Sequence, residues 1–90
     1  MAIERRRIKF YGRVQGVGFR QRAGYAAASL GLTGWVKNEY DETVSMEVQG
    51  EAALIDKMLR TLNTGSFIRI EGIESQRIEL KEERNFRVLY

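Results

Sequence analysis

The sequence contains no cysteine and no histidine. Disulfides, thiolate nucleophiles, Cys-containing zinc sites, phosphohistidine chemistry and every Ser-His or Cys-His arrangement are thereby excluded. Aspartate is scarce as well. Asp41 and Asp56 are the only two, far apart and outside any Asp-x-Asp pattern, which leaves no carboxylate cage for Mg²⁺. Neither a metal nor a cofactor is expected. Proline is absent, and with it any Pro-rich linker. No apolar run nears the roughly 20 residues that span a bilayer, and the basic start from Met1 to Lys9 has no apolar stretch behind it. A cytoplasmic address without membrane contact follows as the expectation. Any chemistry must use Arg, Lys, Asn, Gln, Tyr, Glu, Ser, Thr and the backbone.

What is present suits one small folded unit. Ninety residues can bury about 60–65% of the unfolded chain's surface, enough for a single core. At 43% hydrophobic and 30% charged, the chain is well above the apolar content of a disordered one. Repeats, low-complexity tracts and linker-like stretches are missing, so residues 1–90 read as one domain; a monomer is the expectation. The net charge of +3, from 15 Lys and Arg against 12 Asp and Glu, favours anionic partners only weakly, and nucleic acid is not expected as one. The basic run Arg5-Arg6-Arg7 with Lys9 reads as the solvated flank of a strand rather than a binding arm.

Hydrophobic periodicity divides the chain into elements. Ile8, Phe10 and Gly12 alternate with Arg7, Lys9, Tyr11 and Arg13, the period-2 pattern of a half-buried strand. From Phe19 the spacing changes to helical, with Phe19, Ala23, Ala26, Ala27 and Leu30 on one stripe and Gly31 placed to cap its end. Thr33 to Asn38 reads as a second strand. A turn around Asp41 leads to a third, in which Val44, Met46 and Val48 alternate with polar residues. Leu54, Ile55, Met58, Leu59 and Leu62 mark a second helix closed by Asn63-Thr64-Gly65. Ile68 to Leu80 reads as a long or bent strand, and Phe86, Val88 and Tyr90 as a short terminal one.

This order predicts an α+β, ferredoxin-like βαββαβ sandwich. One antiparallel sheet is covered on one face by two helices, with a short extra C-terminal strand. The first and second strands must run parallel with the third between them, because their helical crossover is right-handed. Their ends then share one rim of the sheet, roughly 10 Å apart.

At that rim, the segment Val14-Gln15-Gly16-Val17-Gly18-Phe19-Arg20 is unusual for a mere connection. No Ser, Thr, Asp or Asn stands ready to cap the helix, although its first N–H groups need partners. Gly16 and Gly18 can take the positive φ angles that turn successive N–H groups into one concave nest. Arg20 sits in the first turn, where the helix dipole disfavours a cation. A bound anion accounts for all three features, and phosphate matches both the amides and a bidentate guanidinium. The same spacing also fits a plain glycine-rich turn with Val17 and Phe19 packed inward. Asn38 closes the second strand on the same rim, where its carboxamide could hold a water beside a phosphoryl oxygen.

Gly12-Arg13-Val14-Gln15-Gly16-Val17-Gly18-Phe19-Arg20 and Gly31-Leu32-Thr33-Gly34-Trp35-Val36-Lys37-Asn38 resemble the two signatures of the acylphosphatase family. The similarity runs from about Arg5 to Tyr90. It implies a metal-free hydrolase that cleaves the carboxyl-phosphate bond of acyl phosphates by in-line attack of water. Arg20 would bind the phosphate, the amides of Gln15, Gly16, Val17, Gly18, Phe19 and Arg20 would surround it, and Asn38 would place the water. Inorganic phosphate and similar anions would then inhibit. Departures lie outside these motifs: Tyr40-Asp41-Glu42-Thr43 replaces the family's frequent Asp-Gly turn, and Gly65-Ser66-Phe67 lacks its usual prolines. The same module occurs at the start of larger hydrogenase-maturation proteins, and the chain's end at the domain's end favours the free-standing enzyme. The rival reading is a non-catalytic RNA- or anion-binding module. It calls for aromatics on the sheet's open face, where Tyr11 and Tyr40 are the candidates.

Overall fold

A computed structural model describes residues 2–64 and 67–90. The order of elements is β1 (Ile3–Arg13), α1 (Phe19–Leu30), β2 (Thr33–Asn38), β3 (Val44–Glu51), α2 (Ala52–Leu62), β4 (Arg69–Ile78) and β5 (Phe86–Leu89). The strands form one sheet in the order β4-β1-β3-β2-β5. β1 and β2 both pair antiparallel with β3, so they run parallel with β3 between them, as the crossover rule requires. The sheet is nevertheless mixed rather than wholly antiparallel. β5 lies against the outer edge of β2 and parallel to it. Period-2 spacing identifies a strand but carries no direction, so this pairing has no signature in the terminal residues themselves.

The core lies between the helices and one face of the sheet. Ile8 and Phe10 of β1, Val36 of β2, and Val44, Met46 and Val48 of β3 meet Phe19, Ala23, Ala26 and Ala27 of α1 and Ile55, Met58 and Leu62 of α2. Alanines make α1's buried face thin, which brings its axis close to the sheet. Phe10 and Phe19 meet edge-on, with centroids 4.9 Å apart. That contact ties the start of α1 to β1 and sets the height of the loop between them. α1 ends at Gly31 in a left-handed conformation, with Leu32 N–H on the Ala27 carbonyl and Gly31 N–H on that of Ala28. α2 ends at Asn63, and the expected cap residue Gly65 lies outside the described residues. Among the described residues no helix is long and apolar enough to cross a membrane.

On the other face, β4 and β5 occupy opposite edges, so residues 79–85 must cross the whole sheet. The crossing segment is held by Gln49, whose side chain accepts from Lys81 N–H and donates to the Lys81 carbonyl, both at 2.9 Å. Arg5 lies beneath it at 0% exposure. Its Nε donates to Glu47 Oε1 at 2.9 Å, and its Nη1 reaches Glu83 Oε1. Nη2 also approaches Glu47 Oε1 to 2.9 Å, but without hydrogen-bond alignment, so the Nε contact carries the pair. The basic run is therefore not a solvated flank at Arg5. The Arg5 side chain is gripped by Glu47 and Gln49 of β3 and by Glu83 of the crossing segment, all remote in sequence. Burial pushes the Glu47 carboxyl up, but hydrogen bonds from Arg5 and Lys81 outweigh it and hold it below the usual carboxylate range.

Candidate active site

Val44 pairs with Phe10 on one side and with Asn38 on the other. Those three residues are level across the sheet, and Asn38 stands two strand spacings, roughly 10 Å, from β1. The β1–α1 loop leaves β1 at this rim and passes to α1. Beneath it is a cavity of about 320 Å³ lined by Val14, Gly16, Gly18, Phe19, Arg20, Gln21 and Asn38. Larger hollows exist. One of about 770 Å³ on the sheet's open face is lined by residues of both charge signs, including Arg7, Lys9, Asp41 and Glu74. The smaller cavity is the chemical candidate because donors of one kind converge there.

Gly16 and Gly18 take φ of 71° and 79°, and a Cβ on either would have nothing within 4 Å. Glycine is needed there for its backbone angles, not for space. α1 opens at Gly18 with no side-chain cap and no acidic residue in its first turn. A missing side-chain cap does not by itself set α1 apart, since α2 also lacks one at Glu51. There, however, the Ala52 N–H finds the Ala2 carbonyl at 3.0 Å. Among the described residues, no backbone bond outside the helices and strands is donated by the amides of Gly16 to Arg20. Phe19 is buried and Val17 and Arg20 are half-buried, and free amides in such positions require a partner, whereas Gly16 and Gly18 are exposed.

Arg20 points along the rim toward the C-terminal strand. Its Nη1 donates to the Leu89 carbonyl at 2.7 Å, and its Cζ lies 4.5 Å from the centre of the Tyr90 ring. These two contacts fix the guanidinium plane and leave its remaining N–H groups for the cavity. Asn38 offers the complementary feature: its Oδ1 is buried and has no hydrogen-bond partner. A buried acceptor left unpaired costs about 1–3 kcal/mol, which a donor such as water in the cavity removes.

Of the residues expected from the sequence, Gly16, Gly18, Phe19, Arg20 and Asn38 meet around this cavity, and Val14 and Gln21 join them. Val17 does not line it, and its side chain packs on the core. Gln15 does not line it either. Its Nε2 donates to the Glu39 and Thr43 carbonyls, both at 2.8 Å, and so clamps the loop to the β2–β3 turn. That turn is braced in its own right. The Thr43 hydroxyl, then Lys9, then the Thr43 N–H bond the Asp41 carboxylate and lower its pKa from 3.8 to about 2. Leu89, Tyr90 and the Gln15 side chain were not singled out by sequence reasoning. The alternation in Phe86, Val88 and Tyr90 marks a strand, but only its pairing with β2 brings it beside Arg20.

Fold and cavity together define a class: a ferredoxin-like sandwich whose first strand-to-helix turn, one guanidinium and one strand-end carboxamide enclose a small polar pocket. Comparison with known proteins gives that class a family. A family model for acylphosphatase matches residues 6–88. A relative named acylphosphatase from Clostridium acetobutylicum is 41% identical over 90 residues, covering 98% of this chain and 99% of its own. The crystal structure of acylphosphatase from Bacillus subtilis superposes with a TM-score of 0.90 at 30% identity, over 99% of this chain and 100% of that one. Full-length HypF, in a phosphate- and nucleotide-bound form, matches 99% of this chain with 12% of its own, at a TM-score of 0.89 and 32% identity. The chain belongs to the acylphosphatase family.

Proposed function

We propose that the protein hydrolyses acyl phosphates to a carboxylate and inorganic phosphate, without a metal, as a cytoplasmic monomer. The observation that carries this reading is that Gly16, Gly18, Arg20 and Asn38 line one cavity together, with Asn38 Oδ1 unpaired. Loop amides and Arg20 grip the phosphoryl oxygens, where charge-assisted, partly bidentate bonds are strongest. Asn38 accepts a hydrogen bond from water and aims its oxygen at phosphorus, opposite the leaving oxygen. The water–phosphorus bond forms as the phosphorus–carboxylate bond breaks. The carboxylate departs with the electron pair and needs no proton, so no general acid is called for in a chain without histidine. The water's proton passes to a phosphoryl oxygen. What remains for the protein is to position the reactants and to stabilise charge on the phosphoryl oxygens, which together account for most of the catalysis of phosphoryl transfer. Phosphate and similar anions occupy the same nest and compete.

The test is hydrolysis of benzoyl phosphate in the presence of EDTA. Turnover inhibited competitively by inorganic phosphate is the expected result. Phosphate binding without turnover would reduce the protein to an anion-binding module.

A further inference from the structure

Gly24 stands in the middle of α1, with Ala23, Ala26, Ala27 and Ala28 around it, and is the only glycine within either helix. An interior glycine weakens a helix relative to alanine, so helix propensity gives no reason for it. Nor does the backbone ask for one, since Gly24 has no positive φ. The reason lies in what passes beside it. A Cβ at Gly24 would lie 3.1 Å from Val88 Cγ2 of β5, closer than ordinary van der Waals contact. Glycine lets the helix and the last strand come together at that point.

β5 has little else to fix its distance from α1. It is an edge strand of four residues, paired on one side only, with β2. Val88 is level with the fully buried Val36 and packs against the core. The next residue, Leu89, supplies the carbonyl that receives Arg20 Nη1 at 2.7 Å, and Tyr90 supplies the ring 4.5 Å from the guanidinium carbon. Arg20 and Gly24 are one helical turn apart, at i and i+4, and so share a face of α1. That face meets β5 twice: at Gly24 on Val88 and at Arg20 on Leu89. Val88 is β-branched and stiff at χ1, so it yields to an added Cβ by moving its backbone rather than by turning its side chain.

We infer that Gly24 is a positioning residue for the phosphate site: by admitting Val88 it sets how closely β5 approaches α1, and thereby where Leu89 and Tyr90 hold the Arg20 guanidinium. The inference rests on the phosphate-binding role of Arg20 proposed above and adds the residue that sets its orientation. Gly24 does not line the cavity and acts only through β5 and Arg20. A side chain at position 24 forces Val88 to give by a few tenths of an ångström. The Leu89 carbonyl moves with it, so either the Arg20 hydrogen bond lengthens or the guanidinium follows the strand and leaves its best position for phosphate.

The experiment measures binding of inorganic phosphate, by NMR titration of the β1–α1 loop amides, in wild-type protein, Gly24→Ala, Val88→Ala and the double variant. Urea unfolding and benzoyl phosphate hydrolysis are followed on the same preparations. Gly24→Ala is expected to weaken phosphate binding about three- to tenfold, the scale of one disturbed charge-assisted hydrogen bond, and to lower kcat/KM in proportion. Its stability should stay near that of wild type, because alanine's gain in the helix offsets the displaced strand. In the Val88→Ala background the obstructing methyl is gone, and the same substitution should leave phosphate affinity unmoved. Unchanged affinity in Gly24→Ala, or an equal weakening in the Val88→Ala background, overturns the positioning role while leaving the hydrolase intact. Wild-type protein that binds phosphate and hydrolyses nothing overturns the proposed hydrolysis, while the affinity series still decides Gly24. Wild-type protein that binds no phosphate overturns both.

Discussion

The Arg20 guanidinium donates to the main-chain carbonyl of Leu89 at 2.7 Å, joining a residue in the first turn of α1 to one 69 positions later in the chain. The Tyr90 ring then covers the guanidinium at 4.5 Å from its centre. Through these contacts the last strand acts as a splint for the guanidinium of the candidate pocket. Tyr90 itself is 86% exposed, so its removal should cost the fold little. Tyr90→Ala is expected to weaken competitive inhibition by phosphate about two- to fivefold, the size of an exposed cation–π contact. Thermal stability should barely move. Unchanged phosphate inhibition in that variant would show that the ring does not hold Arg20.

Arg20 and Asn38 share a cavity but should fail differently when removed. Arg20→Ala deletes a ground-state phosphate contact, so phosphate inhibition and turnover should fall together. Asn38→Ala should leave phosphate inhibition nearly intact while kcat drops by about two orders of magnitude, the scale of losing a contact specific to the reaction. Because Asn38 Oδ1 is buried without a partner, the same variant should be no less stable than wild type. Steady-state kinetics and a urea melt on the same preparations decide the matter. Two variants with identical kinetic defects would undo the division of roles.

The glycines of this rim serve two different purposes, and alanine separates them. At Gly18, φ is 79° and a Cβ would meet nothing within 4 Å, so Gly18→Ala should cost only backbone strain, about 1–2 kcal/mol in urea unfolding. At Gly12 the added Cβ would lie 2.2 Å from a backbone oxygen, and Gly12→Ala should cost about 3 kcal/mol or more, since β1 and β4 must separate. Equal losses at the two sites would contradict this division.

Asp41 gives the site's brace a pH dependence. Its folded pKa is depressed, from 3.8 to about 2, so its contribution is fully present above the unfolded value and is lost as pH falls through the folded one. Asp41→Asn should therefore be less stable than wild type at pH 5. The gap should close between about pH 4 and pH 2. Since the turn it braces presents the Thr43 carbonyl to Gln15, the variant should also bind phosphate more weakly at neutral pH. A stability difference that persists unchanged to pH 2 would remove Asp41 from this role.

Much of this molecule is legible one residue at a time. Alternation in Ile8 and Phe10, the stripe from Phe19 to Leu30 and the glycines at 16 and 18 are local patterns, and local patterns set backbone conformation. Right-handed crossover then puts the ends of β1 and β2 on one rim, so that even the meeting of Arg20 and Asn38 follows from chain order. The burial of Arg5, the parallel docking of β5 and the grip of Leu89 and Tyr90 on Arg20 are of another kind. Each joins segments far apart in the chain, through side-chain reach and strand register rather than through periodicity. A single sequence contains the residues for such contacts but not the distances between them. Those distances arise only when the whole core packs at once.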